Sequence, residues 1–535
     1  MPILRAVTYG ERVTRRPLAH RPRSRTISLV ATVAAAAGLV LPATSAAAVP
    51  DRAPAAAGAL APSADYPAEL AAYYTQALTW TPCEGSLTCT WLTVPLDYSD
   101  PGGATIRIRA AKATATGPAA QRQGSIVINP GGPGGSGVGF TAYVAESIAA
   151  DVATQFDFVG FDPRGVGQSA PITCLTGRQT AVWLATDGSP NSAAEERRLM
   201  SRAAAIPRGC LSMSPTLARN VGTDNTVRDM DILRAALGDT RLNWLGYSYG
   251  TYLGTLYAQT FPDRVGRMVL DGALDPSLDA MEVSEGQSRG FQTAMTRFAA
   301  DCTTRANCPF AGGTRAVLAG INAILAGLDR TPMATSSRRV LTQAEALTAL
   351  FYPMYTTQLW PILRQALGAA AEGDGSGLLA ISDYASDRTG PAQYATNMTS
   401  AFYAISCWDM PAPPGAAGLR AAATAWSRNA RVPEMAKSMA WGNAPCSQWF
   451  GHSTRVPAPA STTTTAPILV VGTTFDPATP YWWSVALSRQ LTTSTLLTYR
   501  GDGHTAYGAG STCIDRAVGG YLLTGTMPAA GTVCR

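Results

Sequence analysis

The stretch Asn243-Trp244-Leu245-Gly246-Tyr247-Ser248-Tyr249-Gly250-Thr251 constrains the fold more than any other part of the chain. A short apolar run leads into Gly-x-Ser-x-Gly, and a helix-compatible run from Tyr252 to Phe261 follows it. Glycines on both sides of a serine let the backbone turn so sharply from strand to helix that the hydroxyl stands free at the strand's end. This is the layout of a nucleophile elbow. Ser248 is therefore the candidate nucleophile. In a chain with 51 glycines such a motif also arises by chance, so the reading needs support from elsewhere.

The first support lies upstream. Ser125 to Asn129 reads as a short buried strand, and it runs into Pro130-Gly131-Gly132-Pro133-Gly134-Gly135-Ser136-Gly137. A phosphate-binding loop would close on Gly-Lys-Ser/Thr, but lysine occurs only at Lys112 and Lys437. An oxyanion hole needs only an N–H from a glycine-rich turn after an early strand, together with the N–H that follows the nucleophile. Gly132 and Tyr249 are the candidates.

Around these two loops the chain alternates strand and helix patterns. Thr90 to Leu96 and Ile106 to Ala111 read as a hairpin across Ser99-Asp100-Pro101-Gly102-Gly103. Phe156 to Phe161 and Val265 to Leu270 read as strands, and Asn225 to Leu237 as an amphipathic helix closed by Gly238. After Phe161 comes Asp162-Pro163-Arg164-Gly165, where an Asp162–Arg164 salt bridge fixing the turn is the expected role.

The alternation predicts an α/β protein with a mostly parallel sheet, its special residues at strand ends. From 275 to 440 helical signals dominate: Ala316 to Leu328, the capping box Thr342-Gln343-Ala344-Glu345, and Pro361 opening Ile362 to Leu367. That stretch is expected to be an inserted helical cap. It divides the sheet-forming part into 65–274 and 441–535, and strand patterning resumes at Ile468 to Gly472 and Thr495 to Tyr499.

The loops after those last two strands supply the rest of the chemistry. The first carries Asp476 in Phe475-Asp476-Pro477, and the second carries His504 in Gly501-Asp502-Gly503-His504. Of three histidines, His20 lies in the N-terminal segment and His452 precedes the acid, so His504 alone fits the order nucleophile, acid, base. In that order His504 takes the proton from Ser248, while Asp476 orients the imidazole. Asp502 is the rival acid; its nearness to His504 in sequence favours a turn-shaping role. His452, beside Trp449 and Phe450, is expected to be structural.

Composition bounds the setting. At 535 residues and 46% hydrophobic content the chain can bury a large core. The formal charge is +6, but residues 1–46 hold seven arginines against Glu11 alone. The remainder is therefore neutral, which argues against a nucleic-acid partner. That segment has an arginine-rich start, an apolar run from Ile27 to Leu41 and small residues from Ala43 to Ala48, and it is expected to be a signal peptide for secretion. The apolar run is short for a membrane span, and no cysteine near the cleavage region suits a lipid anchor, so no stable membrane anchor is expected. Residues 47–64, rich in Ala and Pro, read as a linker or pro-segment.

Ten cysteines in an exported chain favour disulfides: Cys83 with Cys89, Cys174 with Cys210, Cys302 with Cys308, Cys407 with Cys446, and Cys513 with Cys534. No Cys/His cluster has zinc spacing, so no metal site is expected.

Taken jointly, Val94-Pro95-Leu96-Asp97-Tyr98, Asn129 to Gly134, Asp162 to Gly165, Gly246 to Gly250, Asp476-Pro477 and Gly503-His504 resemble a family. It is that of secreted tripeptidyl aminopeptidases in the proline-iminopeptidase group of α/β-hydrolases. The resemblance spans nearly the whole chain after the export segment. It implies an α/β-hydrolase fold and a cofactor-free serine exopeptidase that removes short peptides, tripeptides in the family, from free N-termini. Asn129-Pro130 stands where related iminopeptidases carry histidine before the glycines, so their preference for N-terminal proline is not carried over.

Two other functions remain open at this point. A secreted carboxylesterase would use the same triad, and a catalytically silent envelope-binding protein would need none of it. An aminopeptidase must hold a protonated amine, and a buried ammonium requires a carboxylate. Asp409, in the apolar stretch Ala404 to Met410, is the first candidate and Glu285 the second.

Overall fold

A computed structural model of the protein describes residues 66–535. The expected signal peptide and linker, residues 1–64, lie outside the described residues. Twelve strands are present among those described. They are β1 (Thr81–Pro82), β2 (Thr88–Pro95), β3 (Thr105–Ala113), β4 (Ser125–Asn129), β5 (Asp157–Phe161), β6 (Leu242–Tyr247), β7 (Val265–Asp271), β8 (Arg388–Gly390), β9 (Gln393–Tyr394), β10 (Ile468–Phe475), β11 (Ser494–Asp502) and β12 (Val533–Cys534).

Ten of them form one sheet in the order β1-β2-β3-β5-β4-β6-β7-β10-β11-β12, while β8 and β9 pair separately. The pairs from β5 to β12 are parallel, and β1, β2 and β3 join antiparallel at one edge. The order reverses at β4: β5 lies on one side of it and β6 on the other. In open α/β sheets the crevice at such a reversal, beyond the carboxyl ends of the strands, is where ligands bind. The glycine-rich loop after β4 and the elbow after β6 both open there.

Both faces of the central strands are covered, so the strands are apolar throughout and sort by alternation. Trp244, Leu270 and Val470 face one core cluster, whereas Leu245, Val269, Leu469 and Val471 face the other. Between β7 and β10 the chain forms a helical layer that begins with the long helix Ala280–Thr303. This layer has its own core, with Phe291, Phe298, Leu325 and Leu363 buried together.

Three more helices, Gly177–Leu184, Ala193–Ala203 and Ala205–Met213, leave the sheet between β5 and β6. Their Leu199 and Ala203 pack with Leu419, Ala423 and Trp441 of the later layer. The helical layer thus also draws on residues within 65–274. The capping boxes at Thr176 and Ser192 are the sequence signals for the first two of these helices.

The ten cysteines form the five neighbouring disulfides expected of them. Among the described residues no helix is long and apolar enough to cross a membrane.

Candidate active site

Strand β6 ends at Tyr247, and Ser248 follows with φ 55° and ψ −122° before the elbow helix Tyr249–Thr260. A non-glycine residue in this region of backbone space stores roughly 1–3 kcal/mol of strain, and such strain concentrates at functional turns. Several contacts hold it in place. The Ser248 N–H donates to Asp271 O at 2.9 Å, and Trp244 Nε1 donates to Gly250 O at 3.0 Å. The turn is so tight that a Cβ on Gly246 would sit 2.4 Å from Gly250 O. Gly131, with φ 95°, lies directly against the elbow, where a Cβ would come within 2.8 Å of Ser248 Cβ and 3.1 Å of Tyr249 N. Gly132 and Tyr249, the two residues expected to form an oxyanion hole, line one cavity with Ser248.

Asp476 and His504 meet at the ends of β10 and β11. Nδ1 of His504 lies 2.9 and 3.0 Å from the two oxygens of Asp476. The same buried carboxylate accepts from Ala478 N (2.9 Å), Thr479 N (2.8 Å), Thr479 Oγ1 (3.1 Å) and Thr505 N (3.1 Å). A carboxylate saturated by fixed donors cannot swing away. An imidazole that donates from Nδ1 keeps Nε2 as an acceptor.

Asp502 is turned elsewhere. It pairs with Arg297 of the long helix Ala280–Thr303 through both oxygens, one contact at 2.8 Å, and the Arg297 guanidinium stacks 3.6 Å over Phe475. The rival acid is thus a tie to the helical layer rather than a shaper of its own turn.

The expected Asp162–Arg164 bridge does not form. Arg164, fully buried, makes a bidentate pair with Asp229 at 2.7 Å and donates to Pro95 O and Leu96 O. Asp162 instead accepts from Ser136 Oγ (2.6 Å), Val138 N (3.2 Å) and Gln168 N (2.8 Å), which braces the end of the glycine-rich loop. The arginine fork takes the partner that satisfies it bidentately; the short aspartate takes the hydroxyl and N–H groups within reach. His452 is exposed and contacts Ser453 O at 2.8 Å.

Asp409 lines the same cavity as Ser248, together with Leu274, Phe402, Tyr403 and Asn443; the space is about 210 Å³. It ends the helix Met398–Asp409 and accepts from Thr223 N (2.9 Å) and Thr223 Oγ1 at the start of the helix Thr223–Ala236. Thr223 also contacts the Tyr249 hydroxyl, so Asp409 and the residue after the nucleophile share one hydrogen-bonded link. Burial pushes Asp409 up to about 7 despite those bonds, with Asp224 adding to the rise and Arg455 opposing it. Glu285 behaves differently: its side chain is half-buried, pairs with Arg289 at 2.5 Å, and does not line the cavity. A second cavity of about 440 Å³, bordered by Asp239, Arg241 and Arg267, lies at the opposite, N-terminal ends of the strands, away from all of these groups.

Two groups at the site carry no sequence signal. Asp271, the last residue of β7, is buried, pushed up to about 7 by that burial, and accepts from Ala506 N and Tyr507 N just after His504. Tyr355, from the helical layer, accepts the backbone N–H of His504 at its carbonyl (2.9 Å) and sets its ring edge-on to the imidazole at 5.2 Å.

Comparisons with known proteins agree with this geometry. Residues 432–534 match the family model for TAP-like proteins, and residues 124–319 match that for the alpha/beta hydrolase fold. Serine protease Hip1 of Mycobacterium tuberculosis is 35% identical over 491 residues, 86% of this chain and 91% of the relative. Tripeptidyl aminopeptidase of Streptomyces lividans is 35% identical over 461 residues, 83% of each chain. Carboxylesterase B of Mycobacterium tuberculosis is also 35% identical, covering 83% of this chain and 86% of its own length. With an elbow serine, a histidine held by an acid, and relatives aligned over most of their length, this chain belongs to the tripeptidyl aminopeptidase-like serine peptidases of the α/β-hydrolase fold.

Proposed function

We propose that the protein is a secreted aminopeptidase that releases short peptides, tripeptides by preference, from free N-termini through an acyl-enzyme on Ser248. The observation that carries this reading is a carboxylate, Asp409, buried in the cavity that Ser248 lines. An esterase acting on neutral substrates has no use for a costly buried acid, whereas a substrate ammonium offsets its burial.

In the proposed reaction, Ser248 Oγ attacks the carbonyl carbon of the third residue and His504 Nε2 takes the hydroxyl proton. The Gly132 and Tyr249 N–H groups stabilise the oxyanion. The C–N bond then breaks, with the same proton passing from Nε2 to the leaving nitrogen. Water attacks the ester, His504 again shuttles a proton, and the peptide leaves as a carboxylic acid. Asp476 holds the ring and stabilises the imidazolium. Helices from 275 to 440 act as the cap that bounds the acyl side. Export follows from the N-terminal segment and fits a chain with five disulfides.

Mass spectrometry of products from matched peptide pools tests the proposal. Sequential loss of tripeptides from free N-termini is expected, with N-acetylated copies left intact. Equal cleavage of acetylated peptides, or turnover of esters alone, rejects it.

A further inference from the structure

The cavity that holds Ser248 and Asp409 accounts for the acyl side of a substrate only. His504 does not line it. Tyr355, which does not line that cavity either, packs edge-on against the imidazole at 5.2 Å and is 40% exposed. Its ring continues into Tyr352, with centroids 6.4 Å apart and planes 28° from parallel, and Tyr352 meets Tyr384 at 5.6 Å. Tyr384 is 52% exposed. A contiguous row of aromatic rings therefore links His504 to the exposed Tyr384.

We propose that Tyr355, Tyr352 and Tyr384 form the subsite for the leaving part of a peptide substrate, the residues on the carboxyl side of the cleaved bond. This rests on the reading of Ser248 as nucleophile and His504 as base. The chemistry ties the row to that occupant. To break the C–N bond, His504 Nε2 must hand its proton to the leaving nitrogen, so the first leaving residue has to lie against the imidazole. The exposed ring there is Tyr355. An aminopeptidase also meets leaving chains of any length, which a closed cavity could not accept. An open row can accept them. Tyrosines give a peptide rigid, half-apolar faces at low entropic cost, with hydroxyls at the rim for its backbone. The two centroid steps of 6.4 and 5.6 Å set the reach. Extended chain advances about 3.4 Å per residue, so the rings span at most roughly three to four leaving residues.

The experiment compares one free-amine tripeptide carried on two kinds of leaving group: a chromogenic anilide, and peptide extensions of one to eight residues. The reading is kcat/KM, because leaving-side contacts exist only up to acylation. For the wild type, kcat/KM should rise over the first three or four leaving residues and then level. Tyr384→Ala should lower the ratio of kcat/KM for the eight-residue extension to that for the anilide by about three- to tenfold, the size of an aromatic contact. That ratio is independent of the folded fraction, so partial misfolding does not mimic the result. Tyr384→Leu, which keeps bulk without a ring face, should give the same loss. A flat length dependence, or an unchanged ratio in both variants, overturns the subsite. A wild type that cleaves no free-amine peptide of any length overturns the function proposed above and the subsite with it.

Discussion

Asp409→Asn should make the protein more stable and a worse aminopeptidase at the same time. In the folded state burial holds Asp409 at about 7, against an ordinary value of 3.8. The folded protein thus keeps the proton through a pH range in which the unfolded chain has released it. The stability this confers is complete below about pH 4 and is lost as pH rises towards 7. A difference of about three pKa units corresponds to on the order of 4 kcal/mol. Above pH 7 the wild type folds around an unpaired carboxylate, with Asp224 and Arg455 already paired to each other at 2.6 Å.

Asparagine keeps an oxygen for the Thr223 N–H and does not titrate. The stability of the variant relative to wild type should therefore climb between about pH 4 and pH 7 by up to on the order of 4 kcal/mol. Asp271 titrates in the same window but is common to both proteins, so it cancels in the difference. Removing one partner of a buried charge pair costs about 2–5 kcal/mol, so kcat/KM on a free-amine tripeptide substrate should drop about 30-fold or more. A small neutral ester should lose far less. The assays are urea or thermal unfolding from pH 4 to 8 and paired kinetics on the two substrates. A stability difference that does not vary with pH, together with equal losses on both substrates, would make Asp409 a helix cap and nothing more.

Ser248→Ala, His504→Ala and Asp476→Ala should each remove most turnover without unfolding the protein, while Asp502→Ala, which loses only its Arg297 tie, should retain substantial turnover. Loss in Asp502→Ala with activity kept in Asp476→Ala would reverse the acid assignment. Arg164→Met leaves Asp229 buried without its partner and should cost about 3–5 kcal/mol in urea unfolding. A cost below about 1 kcal/mol, the range of an exposed pair, would refute that. Replacing Cys407 and Cys446 with serine opens a 39-residue crosslink on the helix that ends at Asp409, and should lower stability by about 3–4 kcal/mol while raising KM for free-amine substrates. Unchanged KM would show that the crosslink does not position Asp409.

The parts of the site that were legible in the sequence are those whose chemistry depends on backbone shape. An elbow needs glycines beside the serine, a donor loop needs glycines after a strand, and acid and base must follow strands in a given order. Ser248, Gly132, Asp476 and His504 could each be found that way. Side-chain partnerships across distant segments leave no such trace. Arg164 reaches Asp229, 65 residues on, because the hairpin and the helix Thr223–Ala236 meet around it, and no spacing rule connects them. Tyr355 touches His504 only because the helical layer folds back over β11. The burial of Asp409 was legible through its apolar surroundings. Glu285 was not: nearness to a strand end says nothing about which face of a 24-residue helix it occupies, and its half-buried side chain turns to Arg289 instead of the cavity.

The chain leaves the sheet after β7 and returns to it at β10, with Ile468 directly beside Met268. Such an excursion between neighbouring strands is, in principle, an interchangeable part. Nature or an engineer could graft another helical layer there to accept other peptides. Here the graft would not come free of consequence, because the layer also grips the loop bearing the imidazole: Arg297 holds Asp502, and the Tyr355 carbonyl holds the backbone N–H of His504. A transplanted layer lacking those two contacts would release the loop that bears His504. Diversification of this architecture therefore has to preserve two contacts whose residues do not line the cavity that Ser248 shares.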